Sequence, residues 1–419
     1  MKKLLTVLLT IAMVFTLGAC SNNGGGNEGG EATTGEKTKV VIWHTYTEEQ
    51  QAYIDEAVAT FNAEHEDIEV VVETQPRKDF ESKVMQAVSN GVGPNMIIHY
   101  ASEAANYVQD GLVADLGKYV SEDFASTVDA GAYKEATSFE DGKLHILPLI
   151  TSGPIFIYNK TIYDELGLEA PATWDELVAN CEAIKAKYPE KYGFAFDSLT
   201  DGGQTLIMQT GNELIDASTK TVTFNTPEVE KQINWFADGV KNQLFMLKPT
   251  EQYFSNDFNT ENLVTYIGSV AGIPYLQLPE GSEFATAPVP QGGNVEWTPA
   301  WNRGIIVFSA DEKTEAATAE FAKYFASPEV NAKFCEVANY ATPYQATRDT
   351  ETYKAFVAAN TDLANLRPEI GGSFAAITGV AGVRTQIEEL LNSVAIDAKT
   401  ATQALADAEA ACNDALQGN

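Results

Sequence analysis

From Lys39 onward the chain alternates short apolar runs with stretches of helical period. Lys39 to Trp43 (KVVIW) predicts a buried strand, and Thr47-Glu48-Glu49-Gln50 predicts a capping box opening a helix. Tyr53, Ala57, Val58 and Phe61 share one face of that helix. Ile68 to Val72 is the next strand. Phe80, Val84, Ala87 and Val88 mark a helix stopped at Asn90-Gly91. Met96 to Ile98 is a third strand and Glu103 to Gln109 a short helix. Strand and helix alternate, which predicts a parallel sheet with helices on both faces.

A second alternating series follows. Leu144 to Leu149 and Pro154 to Tyr158 are adjacent strands. Thr173 caps a helix through Glu176, with Leu177, Cys181 and Ile184 on its apolar face. Tyr192 to Phe196, Leu263 to Ile267 and Gly304 to Phe308 are further strands. Thr226-Pro227-Glu228 and Ser327-Pro328-Glu329 place proline at the first position of a helix. From Thr314 the chain is mostly helical, and Val380 to Leu416 reads as two helices. The fold class is α/β, with two α/β series and a helical C-terminal segment.

The N-terminus is of another kind. Lys2 and Lys3 precede Leu4 to Leu17, apolar apart from Thr6, Thr10 and Thr16. That length suits a signal peptide and is short for a spanning helix. Leu17-Gly18-Ala19-Cys20 resembles a bacterial lipobox, which implies a signal peptide over 1–19 and lipidation, such as palmitoylation, at Cys20. The Gly-, Asn- and Glu-rich residues that follow have no apolar face to bury, so 20–38 is expected to be a disordered tether. The expected localisation is the outer face of the cytoplasmic membrane, held by a lipid anchor.

The formal net charge of −32, on 59 acidic and 27 basic residues, argues against nucleic acid or anionic lipid surfaces as partners. Cys181, Cys335 and Cys412 are widely spaced, imply neither a disulfide framework nor a zinc site, and read as buried thiols. No His-Glu-x-x-His pair, Gly-x-Ser-x-Gly elbow or P-loop occurs, so no metal, cofactor or catalytic residue is expected.

Aromatic and polar residues gather instead at strand ends, where open α/β sheets bind ligands. Trp43, His44 and Tyr46 follow the first strand, and Tyr100 and Glu103 the third. Ser152 lies between two strands, and Trp297, Trp301, Asn302 and Arg303 precede the Gly304 strand. An aromatic face can cover the C–H side of a sugar ring while polar side chains bond its hydroxyls. The Arg303 fork also suits a phosphate or carboxylate. Each residue has a structural alternative: Trp43, Trp297 and Trp301 as core, His44 and His99 as satisfied histidines, Glu103 as a first-turn acid.

Several stretches together carry a family resemblance. They are Val41 to His44, Phe61 to Glu64, Gly93 to Asn95, Asp110 to Leu116, Gly142 to Leu144, Ile157 to Lys160 and Pro171 to Leu177. They resemble the family 1 extracellular solute-binding proteins of ABC importers, of the Gram-positive lipoprotein type. The resemblance implies a two-lobed fold, with lobe 1 over 39–150 and 304–343 and lobe 2 over 151–303 and 344–419. The chain would cross between lobes near 150–153, 302–304 and Tyr344. The resemblance further implies a monomeric receptor that delivers its solute to the transmembrane subunits of a permease and is not an enzyme.

Within the family, Trp43-His44, Tyr158-Asn159-Lys160 and Tyr340 with Pro343 lie nearer the glycerol-3-phosphate-binding branch. Ser152, Ser269 and Tyr340 keep that branch's ligand types. Phe80 stands where the branch has tyrosine, Ala101 where it has glutamate with Glu103 close by, and no arginine stands near Ala375-Ala376. A sugar or oligosaccharide is therefore the favoured ligand. Glycerol 3-phosphate or a glycerophosphodiester is the alternative, and a secreted glycosidase or an adhesion lipoprotein are readings of other classes.

Overall fold

The computed structural model describes residues 37–248 and 253–418. The expected signal peptide, Cys20 and all but the end of the tether lie outside the described residues. The first strand begins at Thr38.

The first lobe is built on a five-stranded sheet in the order Ile68–Thr74, Thr38–His44, Met96–Tyr100, Trp301–Val307, Ile146–Ser152. The first three strands are parallel, as the alternation predicts, but Trp301–Val307 runs antiparallel to both neighbours. The sheet is mixed because the chain returns from the second lobe on that strand and slots between strands already laid down. Val40, Ile42, Ile97, Ile305 and Ile306 are buried, since helices cover both faces.

The second lobe centres on Pro154–Asn159, flanked antiparallel by Thr265–Ser269 and Phe284–Ala287. The expected strand at 192–196 forms only single bridges, among them Phe196 with Ile267 and Phe194 with Phe245. Its rings instead fill an aromatic core: Phe194 lies 4.8 Å from Phe196 and 5.1 Å from Phe245. Val380–Ala395 and Ala401–Leu416, the two expected C-terminal helices, pack on this core. Cys181, Cys335 and Cys412 are buried and free.

The two capping boxes read from sequence part ways. At Thr173 the box forms: its hydroxyl accepts from Glu176 N at 3.2 Å, and the Glu176 carboxylate accepts from Thr173 N at 3.2 Å and Ala172 N at 2.7 Å. Thr47 makes no side-chain cap, because Glu48 takes a left-handed φ of 51° and turns the first turn away. Thr173→Ala is therefore expected to cost about 1 kcal/mol in denaturant unfolding. Thr47→Ala should change the midpoint little, and equal effects would refute this distinction.

Three segments join the lobes. The first crosses at Gly153, between Ile146–Ser152 and Pro154–Asn159. The second crosses at Ala300, just before the expected 302–304, between the Thr298–Pro299 bridge strand and Trp301. The third lies near 360–366 and not at Tyr344. Tyr344 is buried in the first lobe, with its hydroxyl donating to Pro148 O at 2.5 Å. Tyr353 and Phe356 join the first core, whereas Asp362 accepts from the Thr286 hydroxyl in the second lobe at 2.7 Å. The 344–419 segment thus divides between the lobes, because the apolar face of Glu351–Ala359 packs on Pro328–Ala338. The crossings touch closely enough to demand glycine: a Cβ on Gly153 would stand 2.9 Å from Pro299 O and 3.3 Å from Leu366.

Candidate functional site

A cavity of about 660 Å³ opens on the second lobe beside the crossing strands. Phe196, Ile267, Phe254 and Met246 give it apolar surface. Two helices supply many of its polar groups. Leu199–Met208 starts at the cavity, where Ser198 caps it by accepting from Asp201 N at 3.1 Å. Val380–Ala395 contributes Ala381, Arg384, Thr385 and Glu388, whose spacing puts them on one face. The Arg384 guanidinium lies 5.0 Å from the Phe374 ring. Lys248 pairs with Asp257 at 2.6 Å.

Burial raises the pKa of two carboxyls in this wall. Burial pushes Asp197 up to about 6, although it accepts from Phe254 N at 2.6 Å. Burial also raises Asp201, against the opposing pull of Arg384, Ser198 and the Trp301 indole. Asp201 Oδ1 is buried with no hydrogen-bond partner in the protein, so a ligand hydroxyl would satisfy it.

Trp301 forms the cavity wall nearest the crossings. Along its strand, burial alternates: Trp301 and Arg303 are half-exposed while Asn302 and Gly304 are buried. Trp301 and Arg303 therefore share one face, and Asn302 points inward.

Asn302 belongs to the hinge. The Thr151 hydroxyl donates to its Oδ1 at 2.6 Å, and its Nδ2 donates to Glu135 Oε2 at 2.7 Å. Glu135 is wholly enclosed, and burial pushes its carboxyl up to about 8 against the Asn302 and Ser373 bonds. This network ties the first two crossing strands to the helix Ala130–Ala136.

The first-lobe residues collect around Arg303. Its guanidinium lies 4.7 Å from the Tyr100 ring and 5.7 Å from the Tyr340 ring, contacts worth roughly 0.5–2 kcal/mol each. Tyr46 sits beside it, buried, its hydroxyl oxygen facing the guanidinium and its O–H without an acceptor. His44 Nδ1 accepts from Tyr46 N at 3.1 Å, and burial lowers its pKa, so a neutral ring with the proton on Nε2 fits there. Lys83 Nζ stands 5.0 Å over the Trp43 ring. His99, lowered by burial, meets Glu81 at 3.1 Å, and Glu103 is raised by burial and by Glu81.

Of the thirteen residues read as ligand contacts, Ser269 and Trp301 line the cavity. Tyr46, Tyr100, Arg303 and Tyr340 form the cluster just described, with Trp43, His44 and Glu103 near it in chain and fold. The structure puts four elsewhere. Phe80 is core, stacked on His99 at 6.0 Å. Trp297 is buried, its backbone carbonyl accepting from Gln209 at 3.0 Å. Ser152 and Asn302 are buried in the crossing strands. Asp197, Asp201, Arg384, Thr385 and Glu388 were missed. For Asp201, Arg384, Thr385 and Glu388 the signal was polar residues within helices that carry apolar faces, and Asp197 directly follows the buried run ending at Phe196.

Two lobes around a polar, aromatic-walled cleft define a class of binding protein. Residues 56–361 match the family described as bacterial extracellular solute-binding protein, and the chain belongs to that family. A maltotriose-binding protein of Pyrococcus abyssi is 25% identical over 307 residues, which cover 70% of this chain and 63% of that protein. The sn-glycerol-3-phosphate-binding periplasmic protein UgpB of Yersinia pestis is 22% identical over 411 residues, covering 88% of this chain and 90% of its own. Among solved structures, the cyclic alpha-maltosyl-1,6-maltose binding protein from Arthrobacter globiformis superposes with a TM-score of 0.81 at 20% identity, over 91% of this chain and 100% of that one. These relatives are binding proteins. Among the described residues, no helix is long and apolar enough to cross a membrane.

Proposed function

We propose that this protein is the substrate-binding component of an ABC importer, and that it captures a sugar or oligosaccharide between its lobes. The observation that carries the reading is the cavity wall: the half-exposed Trp301 beside Asp201, whose Oδ1 has no partner, with Arg384, Thr385 and Ser269 around it. An indole face covers the C–H side of a pyranose, and the surrounding donors and acceptors match its hydroxyls. The cavity lies within the roughly 300–1,000 Å³ that suits ligands larger than one small polyol. Relatives that bind maltotriose and a cyclic maltose oligomer support the same chemistry.

The second reading, a glycerol phosphate ligand, draws on the Arg384 guanidinium at the cavity and on the Yersinia relative. In either case the ligand bridges both lobes only when they close, so it shifts the population by its differential affinity for that state. Cys20 lipidation would hold the receptor outside the membrane, near its permease.

A thermal-shift screen against mono- and oligosaccharides, glycerol 3-phosphate and glycerophosphodiesters tests the reading. A saccharide is expected to raise the melting temperature. A shift with phosphates alone would select the second reading, sugar hydrolysis would indicate a glycosidase, and no shift with any solute would overturn solute capture.

A further inference from the structure

The chain carries 59 acidic residues against 27 basic ones, yet Arg303 makes no ion pair among the described residues. Among the described residues the arginine ion pairs belong to Arg348 and Arg367. Arg303 is flanked instead by aromatic rings, those of Tyr100 and Tyr340. Ring faces stabilise the cation without using its in-plane N–H donors, and the Tyr46 hydroxyl oxygen engages only part of the five-donor fork. Beside it the Tyr46 hydroxyl is 7% exposed as a residue and has no acceptor. The nearby carboxylate of Glu81 is committed to His99 at 3.1 Å.

A buried O–H without an acceptor and a guanidinium without an anion are both costly alone, and one ligand oxygen anion satisfies both. A sugar hydroxyl would satisfy Tyr46 but leave the charge uncompensated. Arg303 lies two residues from Trp301 on the same strand face, which separates their Cα atoms by about 6.7 Å. A ring stacked on Trp301 therefore brings its own substituent, or the next ring, to the guanidinium.

We propose that Arg303, Tyr46, Tyr100 and Tyr340 form an anion subsite, so that the preferred ligand is a saccharide bearing a carboxylate or phosphate group. The proposal rests on the saccharide reading above and narrows its substrate class. On this assignment the opposite wall, with Asp201, Thr385 and Ser269, takes neutral hydroxyls.

The test is isothermal titration of the purified protein with matched pairs: digalacturonate against galactobiose, and maltose 6′-phosphate against maltose. One anionic member is expected to bind at least tenfold more tightly than its neutral twin, and the pair that shows this separates carboxylate from phosphate. Arg303→Gln should bring the ratio to about one, Tyr46→Phe should reduce it, and Arg303→Lys should keep part of it. The Lys and Phe variants hold the test open if Arg303→Gln fails to fold by circular dichroism. Neutral sugars binding as well as or better than their anionic twins would overturn the subsite alone. A preference that survives Arg303→Gln but is lost in Arg384→Gln would overturn it in favour of the other wall. Binding of no member of either pair, or of any other saccharide, would overturn the saccharide reading itself.

Discussion

Trp301→Ala is expected to lower saccharide affinity roughly a hundredfold, the loss of about 2–3 kcal/mol typical of a buried aromatic anchor. Trp301 lines the cavity from the edge of a strand whose neighbours are buried, so its ring is held by the sheet and loses little freedom on binding. The indole also acts on Asp201, which burial already holds above its ordinary pKa. Removing Trp301 thus takes away both a stacking face and a partner of the carboxyl that would meet the sugar. Trp301→Phe keeps most of the face and should retain within about tenfold of the affinity. Titration calorimetry on variants with unchanged circular dichroism decides the matter. A change under threefold in Trp301→Ala would remove stacking from the account of this site.

Glu135→Gln is expected to flatten the pH dependence of stability between about pH 4.5 and 8. The folded protein holds the Glu135 proton up to about pH 8, whereas the unfolded chain releases it near the ordinary value of 4.5. A folded pKa above the unfolded one gives stability that is fully present below pH 4.5. It is then lost progressively as pH rises to about 8. The full loss is on the order of 5 kcal/mol, at up to about 1.4 kcal/mol per pH unit. Asp197, Asp201 and Glu103 shift in the same direction and remain in both proteins, so the difference between wild type and variant isolates Glu135. Glutamine keeps an acceptor for the Asn302 amide, which donates at 2.7 Å. Urea midpoints at pH 5, 6.5 and 8 should converge at the acid end and favour the variant at pH 8. Parallel curves would mean that the hinge carboxyl does not govern this pH range.

Much of the fold was legible in local pattern. The strands at Thr38–His44, Ile68–Thr74 and Met96–Tyr100 follow short apolar runs, the outer one, Ile68–Thr74, burying only Ile68 and Val70. The helices after Thr173 and Thr226 start where short polar caps and proline predict. The Tyr192 to Phe196 run pairs through single parallel bridges to Leu263, Phe245 and Ile267, partners distant in the chain that a single segment cannot reveal. The Thr47 box failed because the backbone at Glu48 is left-handed, a choice made by the path into the helix and not by the capping residues.

The candidate site divided along the same line. Trp301 and Arg303 stood out in the sequence as an aromatic and a cation at a strand end, and both fall on one half-exposed face of that strand. Asn302, between them, was assigned to the ligand, yet strand alternation turns it inward to Glu135 and Thr151. Trp297 was large enough to suggest a contact, but it is buried against the Gln209 side chain. Asp201 and Arg384 were missed because they are 183 positions apart in the chain and meet only when two helices converge on one cavity.

By itself the sequence determined the α/β class, the greater part of the helix starts and the strand-end chemistry, and its motifs pointed to the family. Each of these rests on interactions within a few residues: side-chain period, capping and turn chemistry. Only the tertiary structure decided where the chain crosses between lobes, which polar groups are buried without partners, and that Arg303 lies among tyrosines with no acid beside it. Those facts depend on packing between distant segments, where desolvation and close contact set the energies, and no local pattern records them.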